Sequence, residues 1–232
     1  MLYVKLSCVE TGTARNYNAM QPSMAWHNAE CRDLLERAGR GDKEAVGELF
    51  ERHRERLRRM VVLRMDRRLQ GRLDASDVLQ EAFVEFARSL ADYARNPETS
   101  LLVWLRLLTG RKLQALHRRH LGTKVRDAGR EISLQQGPMP QASSQTLAGQ
   151  LLGHFTSPSE AANRAELQIR VQEALNTLDP IDREVLALRH YEQLSNLETA
   201  QVLELSEAAA SNRFVRAVKR LKKILEDPGT QV

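Results

Sequence analysis

The sequence predicts an all-α protein in two helical domains joined by a flexible linker, on three observations. Leu, Ala, Arg and Glu dominate the 232 residues while aromatic residues make up 5%, a mixture that favours helices over sandwiches or barrels rich in β-branched and aromatic side chains. Apolar residues recur at helical spacing in two long regions. Between them, Gly122 to Ser159 gathers Gly129, Gly137, Pro138, Pro140, Gly149, Gly153 and Pro158 among Ser and Gln, the composition of a connector. With 42% hydrophobic and 28% charged residues, the chain can bury a core and is unlike a disordered polymer. The expected organisation is a poorly ordered leader over 1–30, a first domain over 31–121, a linker over 122–159 with a helical turn around Thr146 to Leu152, and a second domain over 160–228.

Turn signals at Gly39 to Asp42, Gln70 to Asp74 and Asn96 to Ser100 divide the first domain into helices. Leu79, Ala82, Phe83, Phe86 and Leu90 share one side of a helix beginning near Asp74. Asp77, Gln80, Glu81 and Arg88 share the other, with Val84 in their midst. One side suits a core, and the other suits a basic partner surface as well as it suits water. Leu101, Trp104, Leu105, Leu108 and Ala115 mark the buried stripe of the next helix.

In the second domain, Leu167, Val171, Ala174, Leu175 and Leu178 form one helical stripe that ends before Asp179 and Pro180. Asp179 caps a following helix with Pro180 at its first position, and Ile181, Val185 and Leu188 supply its buried side. Ser195 and Glu198 make a capping box for a short helix. After the break at Glu204 to Ser206, Ser206 caps a last helix with Ala210, Phe214, Ala217, Leu221 and Ile224 inward. Two short-linked helices, the second long and basic, make a helix-turn-helix.

Charge is segregated along the chain. The net charge is +5, yet Ser100 to Arg126 holds no acid while Arg106, Arg111, Lys112, Arg118, Arg119, Lys124 and Arg126 supply seven positive charges. Glu207 to Lys223 holds six basic residues, Arg213, Arg216, Lys219, Arg220, Lys222 and Lys223, against the single acid Glu207. Such stretches attract a nucleic-acid backbone, and binding through them weakens steeply with salt. Small Ala208, Ala209 and Ser211 permit close approach to a groove, and Asn212, Arg213 and Arg216 reach base edges or phosphates.

Other function classes find little support. The first residues lack an h-region of useful length, and Leu101 to Leu108, interrupted by Arg106, is far too short to span a bilayer, so a cytoplasmic protein without membrane contact is expected. Cys8 and Cys31 are the only cysteines. His27 and Cys31, at i and i+4, are half of the ligand set a structural zinc needs, so no metal or other cofactor is expected. Asp74, Asp77 and Glu81 have neither a histidine nor a Gly-rich loop beside them for catalysis.

Taken in order, D-A-S-D-V-L-Q-E-A-F at Asp74 to Phe83, W-L-R-L-L-T-G-R-K-L at Trp104 to Leu113, L-D-P-I-D-R-E-V-L-A-L-R at Leu178 to Arg189 and S-E-A-A-A-S-N-R-F-V-R-A-V-K-R-L at Ser206 to Leu221 give a family resemblance. From about Asp33 to Glu226 the chain resembles a bacterial RNA polymerase sigma factor of the extracytoplasmic-function (ECF) class. R-H-Y-E-Q-L-S-N at Arg189 to Asn196 is similar to planctomycete-type members. The resemblance implies a non-enzymatic protein that binds core RNA polymerase, through the β′ clamp helices and the β subunit, and directs it to promoter DNA. It also admits an anti-sigma factor as a partner. Asp77, Gln80, Glu81 and Val84 would face the clamp helices. The loop Asn96 to Ser100 would hold a flipped-out base, and Arg106, Arg111, Gln114, His117 and Arg118 would contact the minus-ten strand. Glu207, Ala208, Ser211, Asn212, Arg213, Arg216 and Lys219 would lie nearest the minus-thirty-five element in the major groove. The linker would thread through polymerase toward the active-site and RNA-exit region. Two departures from the family pattern stand out: Glu204 at a turn position that is commonly Gly, and Ala209–Ala210 where a Thr-Val pair is usual. A stand-alone regulator with a carboxy-terminal helix-turn-helix would share the second domain, but its first should show a ligand pocket or an α/β phosphoacceptor pattern. A helical nucleic-acid enzyme would need a nucleophile, metal cluster or phosphate loop.

Overall fold

The computed structural model describes residues 29–121, 139–152 and 158–226. The expected leader up to residue 28, linker residues 122–138 and 153–157, and with them His27, Lys124 and Arg126, lie outside the described residues. Every described element is helical, and the described residues divide into two compact units, one ending at Gln141 and the other beginning at Ala142.

The first unit contains α1 (Ala29–Gly39), α2 (Lys43–Arg64), α3 (Ala75–Arg95) and α4 (Leu101–Leu121). Side chains set where these helices begin, because the first N–H groups of a helix have no partner within it. Asp42 accepts from the Glu44 and Ala45 N–H groups at 3.0 and 3.2 Å, while Arg37 grips the same carboxylate at 2.7 and 2.9 Å. The backbone bond from Ala45 and then the Arg37 guanidinium hold the Asp42 carboxyl below its usual range. Asp74 accepts from Ser76 and Asp77, and Asp77 accepts in return from the Asp74 N–H at 2.9 Å, which closes a capping box at the head of α3.

Packing then draws α2, α3 and α4 together around Leu57, Met60, Leu63, Leu79, Phe86, Leu90, Leu105 and Leu113, all fully buried. A chain of rings crosses the three helices. Phe50 of α2 meets Phe86 of α3 at 5.7 Å, Phe86 meets Trp104 of α4 at 5.7 Å, and Tyr93 stacks on Trp104 at 4.4 Å and 15°. Gly110 also serves α4: a Cβ there would collide with the thioether end of Met139, which lies over the helix at that point.

The second unit contains α5 (Ser144–Leu152), α6 (Pro158–Asn176), α7 (Pro180–Leu186), a π turn (Ala187–Tyr191), α8 (Asn196–Leu203) and α9 (Glu207–Glu226). Where the sequence predicts connector with one helical turn, α5 is a nine-residue helix packed on α6, with Leu147, Ala148 and Leu152 buried. The apolar pairs at i and i+4 prevail over the Gly and Ser around them because α6 offers a face to bury against. Asp179 caps α7 through the Ile181 N–H at 3.0 Å, with Pro180 at the first position, as expected. The π turn, closed by Glu192 N–H donating to Ala187 at 2.9 Å, was not legible from periodicity. It leaves Arg189 buried, donating to the Leu194 carbonyl at 3.0 Å and lying 5.4 Å from the Phe214 ring centre.

Between α8 and α9 the chain turns at Glu204, whose φ of 54° and ψ of 41° place it in the left-handed region. Its own N–H and the Leu205 N–H close back onto α8, the latter on Ala200 at 2.9 Å, a helix ending that usually employs Gly. Glu204 is exposed and makes no side-chain contact that compensates for this backbone among the described residues. A left-handed L-residue costs about 1–2 kcal/mol and glycine's extra unfolded-state freedom about 0.5–1. Glu204→Gly is therefore expected to stabilise the second unit by about 1 kcal/mol, read as a higher urea midpoint with unchanged slope.

Candidate functional site

Three exposed surfaces carry the residues singled out from the sequence. On α3, Asp77 and Gln80 are exposed, Val84 is 45% exposed and Glu81 is half-buried, all on the side away from the ring chain. Asp77 has a second duty, because its carboxylate completes the capping box. Charge changes at Asp77 therefore act on folding as well as on any partner. Glu85 and Glu81 lean toward α4, where Lys112 Nζ lies 3.1 Å from Glu85 and Arg119 lies 3.8 Å from Glu81. The first pair draws Lys112 toward α3, while Arg119 stays exposed.

On α4 the first ten residues are enclosed almost completely, since Leu107 alone among Leu101 to Gly110 is exposed. Arg106, expected at the strand, is instead buried at 3% exposure and has an interaction partner, on a helix that packs against both α2 and α3. His117 is also turned away from solvent. Its Nε2 accepts the Asp66 N–H at 3.3 Å, and burial, more than the neighbouring Arg68, lowers its pKa against the pull of Asp66. It thus fastens the α2–α3 connection to α4 in its neutral form. Asp66 is itself held down at about 2 by its hydrogen bond with Arg68. The face that does remain open is Leu107, Arg111, Gln114 and Arg118, at i, i+4, i+7 and i+11, with Gln114 half-buried and the others exposed. Among the described residues no carboxylate pairs with Arg111 or Arg118.

The α3–α4 loop is built rather than slack. Ser100 Oγ accepts the Val103 N–H at 3.3 Å as the cap of α4, and Asn96 Nδ2 donates to Glu98 at 3.3 Å. The Tyr93 hydroxyl donates to the Thr99 carbonyl at 2.8 Å. Burial pushes the Tyr93 pKa up to about 12, so the phenol stays a donor across the accessible pH range. Sequence reasoning missed this residue, although an aromatic three positions before Asn96–Pro97 was a visible signal.

In the second unit the expected capping box is present, with Ser195 Oγ accepting the Glu198 N–H at 3.0 Å and Glu198 accepting the Ser195 N–H at 2.7 Å, both buried. Asn196 Nδ2 donates to the Glu207 carbonyl at 2.9 Å and so ties the head of α8 to the head of α9. Ala208, Ser211, Asn212, Arg216, Lys219 and Lys223 are exposed along one side of α9, and Glu207 is exposed at its start. Ala210, Ala217, Val218 and Leu221 are buried on the other. Arg213, expected among the outward residues, is half-buried and paired with Asp182 of α7 at 3.0 Å. That pairing holds α9 against α7, and no local sequence pattern linked two residues so far apart.

Comparisons with known proteins bear on the family of the chain. Residues 168–221 match the family model "Sigma-70, region 4". RNA polymerase sigma factor CnrH of Cupriavidus metallidurans is 30% identical over 84% of this chain and 94% of its own length. ECF RNA polymerase sigma factor BldN of Streptomyces coelicolor is 24% identical over 89% of this chain and 70% of its own. The solved structure of CnrH in complex with the cytosolic domain of CnrY aligns with 26% identity, covering 86% of this chain and 98% of that one at a TM-score of 0.49.

The His117 contact has a pH consequence. With its folded pKa lowered, the folded state binds fewer protons there than the unfolded chain, so stability falls as pH drops through the ordinary histidine value toward the lowered one. The urea midpoint of the first unit is expected to decrease between pH 7.5 and 5.5, and His117→Gln is expected to flatten that dependence. An equal slope in the variant would assign the loss to other groups.

Proposed function

Because the chain belongs to the RNA polymerase sigma factors of the extracytoplasmic-function class, we propose that α3 docks on core RNA polymerase, α4 with the loop before it receives the promoter minus-ten element, and α9 reads the minus-thirty-five element. Segregation of charge on the exposed surfaces carries this reading. The outer side of α3 offers Asp77, Gln80 and Glu81 around Val84, an acidic rim on an apolar centre suited to a basic partner surface. The outer sides of α4 and α9 offer Arg111 and Arg118, and Arg216, Lys219 and Lys223, suited to phosphates.

Within α9, Ser211 and Asn212 lie between small Ala208 and long Arg216, so backbone can approach a groove floor while Asn212 and Arg216 reach base edges. Arg213 is a positioning residue in this account, since its pair with Asp182 sets how α9 leaves the bundle. Asn96 and Ser100 frame the loop that receives a flipped base, and Tyr93 ties that loop to α3 through the Thr99 carbonyl. Bond-making belongs to the polymerase, and the chain is a regulatory, non-catalytic subunit acting in the cytoplasm. An anti-sigma factor would be a further partner, competing for these same exposed sides.

Docking is tested by co-elution with core polymerase on size exclusion. Glu81→Lys with Val84→Lys leaves the capping box intact, and reversal at a docking centre is expected to weaken association on the order of a hundredfold. Unchanged co-elution would remove α3 from the interface. For DNA, Arg216→Ala and Lys219→Ala are each expected to lower the salt slope of holoenzyme binding by about 1.

A further inference from the structure

Glu207 is out of keeping with the surface it stands on. From Glu207 to Lys223 it is the single acid beside six cations, and the exposed side of α9 presents Arg216, Lys219 and Lys223. It is the first residue of that helix and is exposed, and among the described residues no side chain pairs with its carboxylate. Its backbone is nonetheless fixed from two sides. Asn196 Nδ2 donates to its carbonyl at 2.9 Å, and Ser206, one residue earlier, caps the helix by accepting the Ala209 N–H at 3.2 Å. Four residues of the first two turns are exposed, Glu207, Ala208, Ser211 and Asn212, while Ala210 between them is buried. Glu207 and Ser211 share one side at i and i+4, as do Ala208 and Asn212. The small pair lets the backbone come close to a groove floor, and the Glu207 side chain reaches past it.

A carboxylate brought to a polyanion is repelled by the phosphates, so it favours binding only where a base meets it with a donor. It can accept hydrogen bonds and cannot donate them. In the major groove guanine presents acceptors only, thymine an acceptor and a methyl group, and adenine a donor beside the N7 acceptor, which repels a carboxylate. Cytosine presents its N4 amino group with no acceptor beside it. Resting on the reading of α9 as the minus-thirty-five surface, we infer that Glu207 is a specificity-determining residue that accepts from the N4 amino group of one cytosine in that element and rejects the other three bases there.

The test uses holoenzyme assembled from the full chain and core RNA polymerase. RNA 5′ ends from fragmented genomic DNA of the source bacterium are mapped to find the shared upstream element, and one such promoter is prepared with each of the four bases at every position of that element. Wild type is expected to prefer cytosine at one position about tenfold over any other base. Glu207→Ala is expected to bring the four bases at that position within about twofold of one another while the preferences elsewhere stay. Glu207→Gln, which sets a donor beside the acceptor, is expected to move the preference to adenine. Glu207→Asp keeps the charge at the helix start but withdraws it by one methylene. It is expected to lose the preference as alanine does, which separates contact with the base from the helix dipole that an acid here also favours. An alanine variant that keeps the cytosine preference, or that weakens every position alike, overturns the assignment and leaves α9 as the minus-thirty-five reader. Should the wild-type start sites share no element at that distance upstream, the reading of α9 falls and the assignment with it.

Discussion

The stack of Tyr93 on Trp104, continued through Phe86 to Phe50, is the interaction on which the first unit's outer surfaces depend. Each ring comes from a turn that must be in register for the next to fit, so the chain of contacts fixes α2, α3 and α4 rotationally as well as laterally. Aromatic contacts of this kind contribute about 0.5–1.5 kcal/mol each beyond area burial, and their directionality matters more than their sum. With rotation fixed, Val84 and its polar neighbours have one way to face, and Arg111 and Arg118 another. The Tyr93 hydroxyl then carries the same constraint one step outward, into the loop at Thr99.

The second unit solves a different problem, holding a long cationic helix at a defined angle on a small core. It does so with polar ties instead of rings. The buried box of Ser195 and Glu198 sets where α8 begins, Asn196 joins α8 to α9, and Asp182 takes Arg213. Glu204 bends the chain between them at a conformational cost that glycine would avoid. Small residues at Ala208, Ala209 and Ala210 leave the start of α9 slim, so the polar ties also decide which groups project from it.

Much of this was legible because local chemistry and burial point the same way. Asp179–Pro180, Ser195 with Glu198, and the breaks at Gly39 to Asp42 and Asn96 to Ser100 announce helix ends through their own backbone needs, and the structure places them there. At Glu204, where the resemblance left open whether the turn differs from the glycine form or keeps it at a cost, the backbone is left-handed and the cost is borne. Periodicity misled where enclosure came from several sides at once. Arg106 reads as a free cation in a basic run, yet it is buried on a helix that packs against α2 and α3. His117 and Arg213 read as outward-facing, but each answers a partner distant in sequence, Asp66 and Asp182. The helix at Ser144 to Leu152 was concealed by glycine and serine whose weak propensity its packing on α6 overrides. Charge runs therefore locate a surface, and only packing shows which cations reach it.

Transcription itself tests the central claim most directly. Core RNA polymerase is incubated with fragmented genomic DNA and nucleotides, with and without the chain, and the 5′ ends of the RNA products are mapped. The account predicts a small set of discrete start sites that appear only with the chain, sharing two upstream elements separated by a constant spacing. Identical 5′ ends with and without the chain, while the chain still binds duplex DNA, would contradict it and leave a DNA-binding protein that does not direct polymerase.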